Sequence, residues 1–423
     1  MLKVSDIRKE FEKFIIIKDK WILDMVMATM IANTSIQRDP LWLMIVGVSS
    51  GGKSTFIAPC DGVPTLRFVD DITEKTFLSG FKIKGQDQSL LKQMGSGILA
   101  FSDFTSILSK NPMSKGEILT QMKLIYDGVL TKSTGTGTLQ WKGKMGFIGG
   151  ATPDVYQHME AGRSMGERFL YYWLEQPTDE EISKKQGEVA LSSKAIADNM
   201  KPLYKEYVEN IRAWIDKHGM PPLRLTQEQK QSVRYYAMFC VNGKATVHLD
   251  YKTGKPDAIP NKAGVGRDYK AFETLLHTLQ VMRAYETNDW DTGVTEDHIN
   301  LVKKIAYSSI NRERRKILEI LCGEESAMTA SEIGAIKGLG LPKDSIDKHI
   351  IPLHAIGLVE KEVYKNGSKW KVTDIETRNF VNGVSETMGD KLDTTIVLPM
   401  EEEDEDDVGW DQNEIDEYNK KLI

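Results

Sequence analysis

Gly47, Gly52, Lys53 and Ser54 fit G-x-x-x-x-G-K-[ST] at every defined position, within the run GVSSGGKS. Residue types at this spacing suit one task, the holding of a nucleotide triphosphate. Glycines let the backbone curl until its N–H groups converge on a phosphate, and a following helix adds the positive end of its dipole. Lys53 spans the β- and γ-phosphates, and the Ser54 hydroxyl is a Mg²⁺ ligand. The expected cofactors are therefore ATP and Mg²⁺, cradled by Gly47, Gly51, Gly52, Lys53, Ser54 and Thr55.

A triphosphate site also needs a carboxylate to order the water shell of its metal. The apolar run Gly97–Ser102 ends in Asp103, the candidate Walker B residue and second metal group beside Ser54, with capping of the next helix as the lesser alternative. Phe104 follows, where many such ATPases carry a catalytic Glu, so Asp70 and Asp71 at the end of the preceding strand are the substitute bases. Thr152, after the run Gly146–Gly150, is set to contact the γ-phosphate or the attacking water. Arg168, just before the apolar run Phe169–Trp173, is either a salt-bridged surface residue or a finger reaching a neighbouring subunit's γ-phosphate.

Positioning these residues requires a sheet. Short apolar runs at Leu41–Val46, Thr65–Val69, Gly97–Ser102, Met145–Gly149 and Phe169–Trp173 alternate with helical stretches, a pattern of parallel α/β architecture. In such sheets ligands gather beyond the carboxyl ends of the strands, where the candidate residues fall. Residues 1–37 read as two helices ahead of this α/β core, 38–177. Residues 178–311 read as a helical region interrupted by a turn-rich loop near Gly243–Gly266. Residues 312–375 read as three helices and two alternating runs joined at Asn366-Gly367, which suggests a winged helix. From 386 to 423 the chain is too acidic and too poor in apolar residues to fold, and an acidic, disordered tail is expected.

Length and charge bound the rest. A chain of 423 residues exceeds one core, so two or three domains are expected. Residues 389–423 carry thirteen acids and three bases, which leaves 48 acids and 52 bases on the body. A mildly basic body with an acidic tail fits contact with nucleic acid, and a merely solvated tail fits the charge as well. Three scattered cysteines and no histidine cluster argue against disulfides or zinc. No run of eighteen apolar residues and no apolar leader is present, so no membrane partner and a cytoplasmic location are expected.

The order GVSSGGKS, ILAFSD, FIGGATPD and GERFLYY resembles the AAA+ ATPases over residues 38–311. That resemblance implies a P-loop parallel sheet with a helical lid, Thr152 as sensor 1 and Arg168 as arginine finger. DGVLTKSTGTGTLQWK, residues 127–142, looks like the hairpin inserted before sensor 1 in minichromosome-maintenance type replicative helicases. VGRDYKAFETLLHTLQVMRAYE and VTEDHINLVKKIA are similar to the lid of those helicases, which implies Arg267 as sensor 2 against the nucleotide. Only about forty residues precede the P-loop, in place of that family's amino-terminal DNA-binding domain, so the resemblance is to compact helicases of phages and mobile elements.

Carried through, the resemblance implies an ATP-dependent DNA helicase or translocase of phage or mobile-element replication. It would be a homo-oligomeric ring, expected to be a hexamer, acting on single-stranded or forked DNA. In such a ring Lys132, Lys142 and Lys144 would line the pore, or else simply solvate the hairpin. Lys348 and Lys369 of the winged helix would meet phosphates, with Trp370 between the wing lysines, although the nearly balanced charge of residues 312–374 fits protein contact as well. The acidic tail would offer a contact for replication proteins. Two alternatives stay open: an AAA+ initiator or helicase loader that uses ATP as a switch, and a regulator of transcription or defence.

Overall fold

Trp42–Val46 (β1), Leu66–Phe68 (β2), Gly97–Phe101 (β3), Met145–Ala151 (β4) and Leu170–Trp173 (β5) form one sheet in the computed structural model. Its order is β2-β3-β4-β1-β5, with every pairing parallel. The structure describes residues 1–134, 137–161, 165, 168–177, 181, 193–250, 252–260, 262–336, 339–365 and 367–388. Gly135 and Thr136 of the expected hairpin tip, Asn366 and the tail from 389 lie outside them.

All five residues of β1 are buried, as a parallel strand covered on both faces requires. Its side chains divide by the two-residue period of a strand. Leu43 and Ile45 join a core shared with the amino-terminal helices Val4–Glu12 and Ile22–Thr34 and with the helices after the sheet. Trp42, Met44 and Val46 join a second core with Phe101, Phe104, Phe147 and Phe169. Rings in that core lie 5.0 to 6.0 Å apart, tilted or edge-on for the most part, the arrangement that aromatic quadrupoles favour.

Four long helices follow the sheet: Ser193–His218, Gln227–Gly243, Gly266–Thr287 and Glu296–Ser308. Capping boxes start two of them, Thr226 with Gln229 and Thr295 with His298. Beyond lie helices Arg312–Gly323, Ala330–Gly334 and Lys343–Ala355 and a hairpin of Glu360–Tyr364 with Gly367–Lys371. Met328–Thr329 pairs on the other side of Gly367–Lys371 and makes a three-stranded sheet that was not anticipated.

Helix Ile375–Met388 corrects the expected start of the tail at 386. Phe380, Val381 and Val384 recur at helical spacing and are buried, and Arg378 donates to the carbonyls of Cys322, Glu324 and Val372. Acidic residues farther on obscured that stripe. Among the described residues no helix is long and apolar enough to cross a membrane.

Candidate nucleotide site

Parallel strands bring their carboxyl ends to one edge. There β1 runs into Gly47, β2 into Asp70, β3 into Ser102 and Asp103, β4 into Thr152, and β5 into Leu174, Glu175 and Gln176. The loop after β1 turns through Ser50 at φ 59° and Gly52 at φ 75°, a left-handed pair that curls it back on itself before helix Lys53–Ile57. A Cβ on Gly51 would lie 2.9 Å from both the Val48 carbonyl oxygen and Gln176 Nε2, so only glycine fits.

Lys53 is buried, and its Nζ donates to the carbonyls of Gly47 at 2.9 Å and Val48 at 2.6 Å. These carbonyls hold the ammonium inside the arch where phosphate oxygens would take over. Burial lowers its pKa and the Asp103 carboxylate opposes the shift, so the two groups sense one another. Ser54 is exposed beside the loop and Thr55 packs inward.

Asp103 and Thr152 are joined by a residue that sequence reasoning missed. The Asp103 carboxylate accepts the Thr105 N–H at 2.9 Å, and the Thr105 hydroxyl accepts the Thr152 N–H at 2.9 Å. The Thr152 hydroxyl in turn donates to Asp154 at 3.3 Å. Asp103 therefore receives the N–H of the first residue of the short helix Thr105–Leu108 and stays an exposed carboxylate at the site edge. Nothing in the spacing of Thr105 marks it, because the strand ends become neighbours only through sheet pairing.

Residues and geometry fit Mg²⁺ only in the company of a nucleotide. Among the described residues no group of three or more His, Cys, Asp or Glu side chains could hold a metal ion. Ser54 and the Asp103 carboxylate supply two oxygens, and a hard octahedral cation would need phosphate and water oxygens for the rest.

Arg168 stands elsewhere. It precedes β5, at the amino edge of the sheet, and is 8% exposed. Its guanidinium lies 3.1 Å from Asp127 and 5.5 Å from the centre of the Tyr126 ring, which packs on Trp42 at the start of β1. Arg267, in the first turn of helix Gly266–Thr287, is among the charges that act on the Tyr126 hydroxyl. Four residues of β5 rising ~3.3 Å each separate this edge from the P-loop. Arg168 therefore does not serve the phosphate cradle of its own chain.

The hairpin Val129–Thr134 with Gly137–Lys142 is present. Its lysines differ in their seats. Lys142 is exposed, while Lys132 donates to the Glu74 carbonyl at 2.9 Å. Lys144 donates to the carbonyls of Ala32 and Ile36 at 2.6 and 2.7 Å and so closes the end of helix Ile22–Thr34; burial holds its pKa down at about 8. That seat removes it from the expected pore contacts. Lys348 is exposed on its helix, Lys369 lies 5.9 Å from the Tyr364 ring, and Trp370 is buried rather than presented between the wing lysines.

A second small hairpin went unnoticed in the sequence. Lys82–Ile83 pairs with Gln86–Asp87 around Lys84 and Gly85, both left-handed, and Phe81 and Ile83 are exposed beside Lys82 and Lys84. The Lys-Gly turn between polar and apolar residues was its only signal. Gln176 and Glu175 were also missed. Glu175 meets Lys304 Nζ at 2.5 Å, and Lys304 meets buried Asp19 at 2.8 Å, tying the end of β5 to helix Glu296–Ser308 and to the amino-terminal segment.

No protein-family model matches the chain, and no curated protein matches it.

Proposed function

We propose that this chain is an ATP-hydrolysing motor on DNA, an AAA+ helicase or translocase of a compact phage or mobile-element type that works in the cytoplasm. The observation that carries the reading is the convergence of Lys53, Ser54, Asp103 and Thr152 at the carboxyl edge of one parallel sheet. The lysine holds phosphates, Ser54 and Asp103 order a magnesium ion that neutralises developing charge, and Thr152 positions the nucleophile.

Arg168 supports a ring, expected as a hexamer, because from the amino edge it is placed for the nucleotide of another copy, while Arg267 would be the sensor 2 group. For Arg168 this contact requires the Asp127 pair to open. Lys142 and the exposed Phe81 with Lys82 and Lys84 suit a single strand, since lysines neutralise phosphates and aromatic rings stack on bases. The helices and three-stranded sheet of 312–371 support a winged helix, with exposed Lys348 as a candidate DNA contact, and the acidic tail would meet replication proteins.

Strand displacement on a forked substrate tests the proposal. Wild type is expected to unwind it with ATP and Lys53→Ala to lose both nucleotide binding and unwinding. An assembled protein that hydrolyses ATP without unwinding or translocating sinks the motor. Buried Phe104 in the usual place of a catalytic Glu favours the second reading, an initiator or loader that uses ATP as a switch. Site-specific duplex binding with turnover indifferent to single-stranded DNA would support that reading.

A further inference from the structure

Hydrolysis needs a group to take the proton of the attacking water, and Phe104 cannot be replaced in that role by its own neighbours. Its ring is wholly buried against Phe101, Phe147 and Phe169. Two carboxylates at the end of β2 are the candidates, and the structure separates them. Asp71 sits 2.6 Å from Lys110 Nζ and accepts the Ile72 N–H at 2.9 Å. That hydrogen bond with Lys110 pulls its pKa down and leaves it a poorer base.

Asp70 has a different seat. The strand pairing of β2 with β3 runs on through the Val69 N–H to the Ala100 carbonyl at 2.8 Å, and so delivers the next residue to the site edge. There Asp70 lines a cleft of about 340 Å³ together with Ser54, Phe68 and Ser102. Ser54 is the metal-binding serine of the P-loop motif, and Ser102 immediately precedes Asp103. Asp61 and Asp198 line the same cleft, but both are paired with Lys201, at 3.1 and 3.2 Å. Asp154 receives the Thr152 hydroxyl and lies at the end of β4 instead.

We propose that Asp70 is the catalytic base of this ATPase, the carboxylate that stands in for the glutamate absent at position 104. The assignment rests on the nucleotide reading given above. As the water oxygen bonds to the γ-phosphorus, one water proton passes to the Asp70 carboxylate. The bond from that phosphorus to the β–γ bridging oxygen breaks, its electron pair leaves with ADP, and Asp70 returns the proton to solvent. Strand order explains the placement: β2 borders β3, so a base on β2 approaches the Ser54 cleft from the side opposite β1.

The test uses the full chain with Asp70→Asn, Asp70→Glu, Asp71→Asn and Asp154→Asn. Binding of a fluorescent ATP analogue with Mg²⁺ and single-turnover hydrolysis are measured separately. Asp70→Asn is expected to bind within about threefold of wild type yet hydrolyse roughly 10²–10⁴-fold more slowly, the usual worth of a general base. Asp70→Glu is expected to recover part of the loss, and the other two variants to stay within about tenfold of wild type on that scale. Wild-type turnover in Asp70→Asn, loss of its nucleotide binding, or an equal loss in Asp71→Asn or Asp154→Asn overturns the assignment. Nucleotide binding unchanged in Lys53→Ala overturns the reading beneath it, an outcome distinct from the failure of Asp70.

Discussion

Replacing Lys304 with methionine should cost this protein a large part of its stability. Lys304 and Asp19 are each 1% exposed, with Nζ 2.8 Å from the Asp19 carboxylate and 2.5 Å from that of Glu175. Asp19 also accepts the N–H groups of Trp21 and Glu175, both at 3.0 Å, and the Tyr172 hydroxyl. Methionine preserves most of the stem packing, so the cavity term is small. What is lost is the charge. Removing one partner of a buried ion pair costs about 3–5 kcal/mol, because the other charge stays buried without compensation. Three remaining donors pull the figure toward its lower end, and the nearby Glu175 anion pushes it up. Against a total of about 5–15 kcal/mol, and with the unfolding entropy of a chain of this length, the melting temperature should fall by roughly 3–6 °C. Urea unfolding followed by fluorescence and circular dichroism gives the number. Adding Asp19→Asn to Lys304→Met should cost less than the sum of the single changes, since the orphaned anion disappears. A loss under about 1 kcal/mol in Lys304→Met, or strict additivity in the pair, would show that this network does not hold helix Glu296–Ser308 to the sheet.

Two further expectations use the same reasoning. Burial, with Arg283 adding to it, lowers the His298 pKa from 6.5 to about 4, so the folded state favours the neutral ring. Its contribution is complete above pH 6.5 and is lost as pH falls toward 4. His298→Gln keeps a capping-box acceptor at that position, so wild type should lose about 3 kcal/mol relative to the variant across this window, read from urea midpoints. Lys142→Ala should lower the slope of log affinity against log salt for single-stranded DNA by about 0.7, whereas Lys144→Ala should leave the slope alone and destabilise the fold. Fluorescence anisotropy over a salt series, paired with thermal melts, distinguishes the two lysines.

Much of the fold was legible because its signals are local. The runs that become β1, β3, β4 and β5 are short apolar stretches, and the P-loop follows the first of them. The capping boxes at Thr226 and Thr295 and the Tyr364–Gly367 turn are likewise written within a few residues. Helix Ile375–Met388 escaped notice because its apolar stripe is bound by a core from distant elements, Phe239 and Tyr307 among them.

Residue order alone determined the chemistry available: a glycine-rich loop with Lys53 and Ser54, carboxylates and a threonine at strand ends, and lysines on hairpins. Tertiary structure decided which of these groups meet. Parallel pairing carried Asp103, Thr105 and Thr152 to the P-loop edge, and the same pairing left Arg168 at the other edge with Tyr126. It put Asp70 in the Ser54 cleft while Lys110 took Asp71, and it turned Lys144 from a presumed phosphate contact into the end of a helix. The physical reason is common to all of these. A side chain's type is set by its own codon, but its neighbours, burial and charge partners are set by strand order and by long-range packing, which no short window of sequence contains.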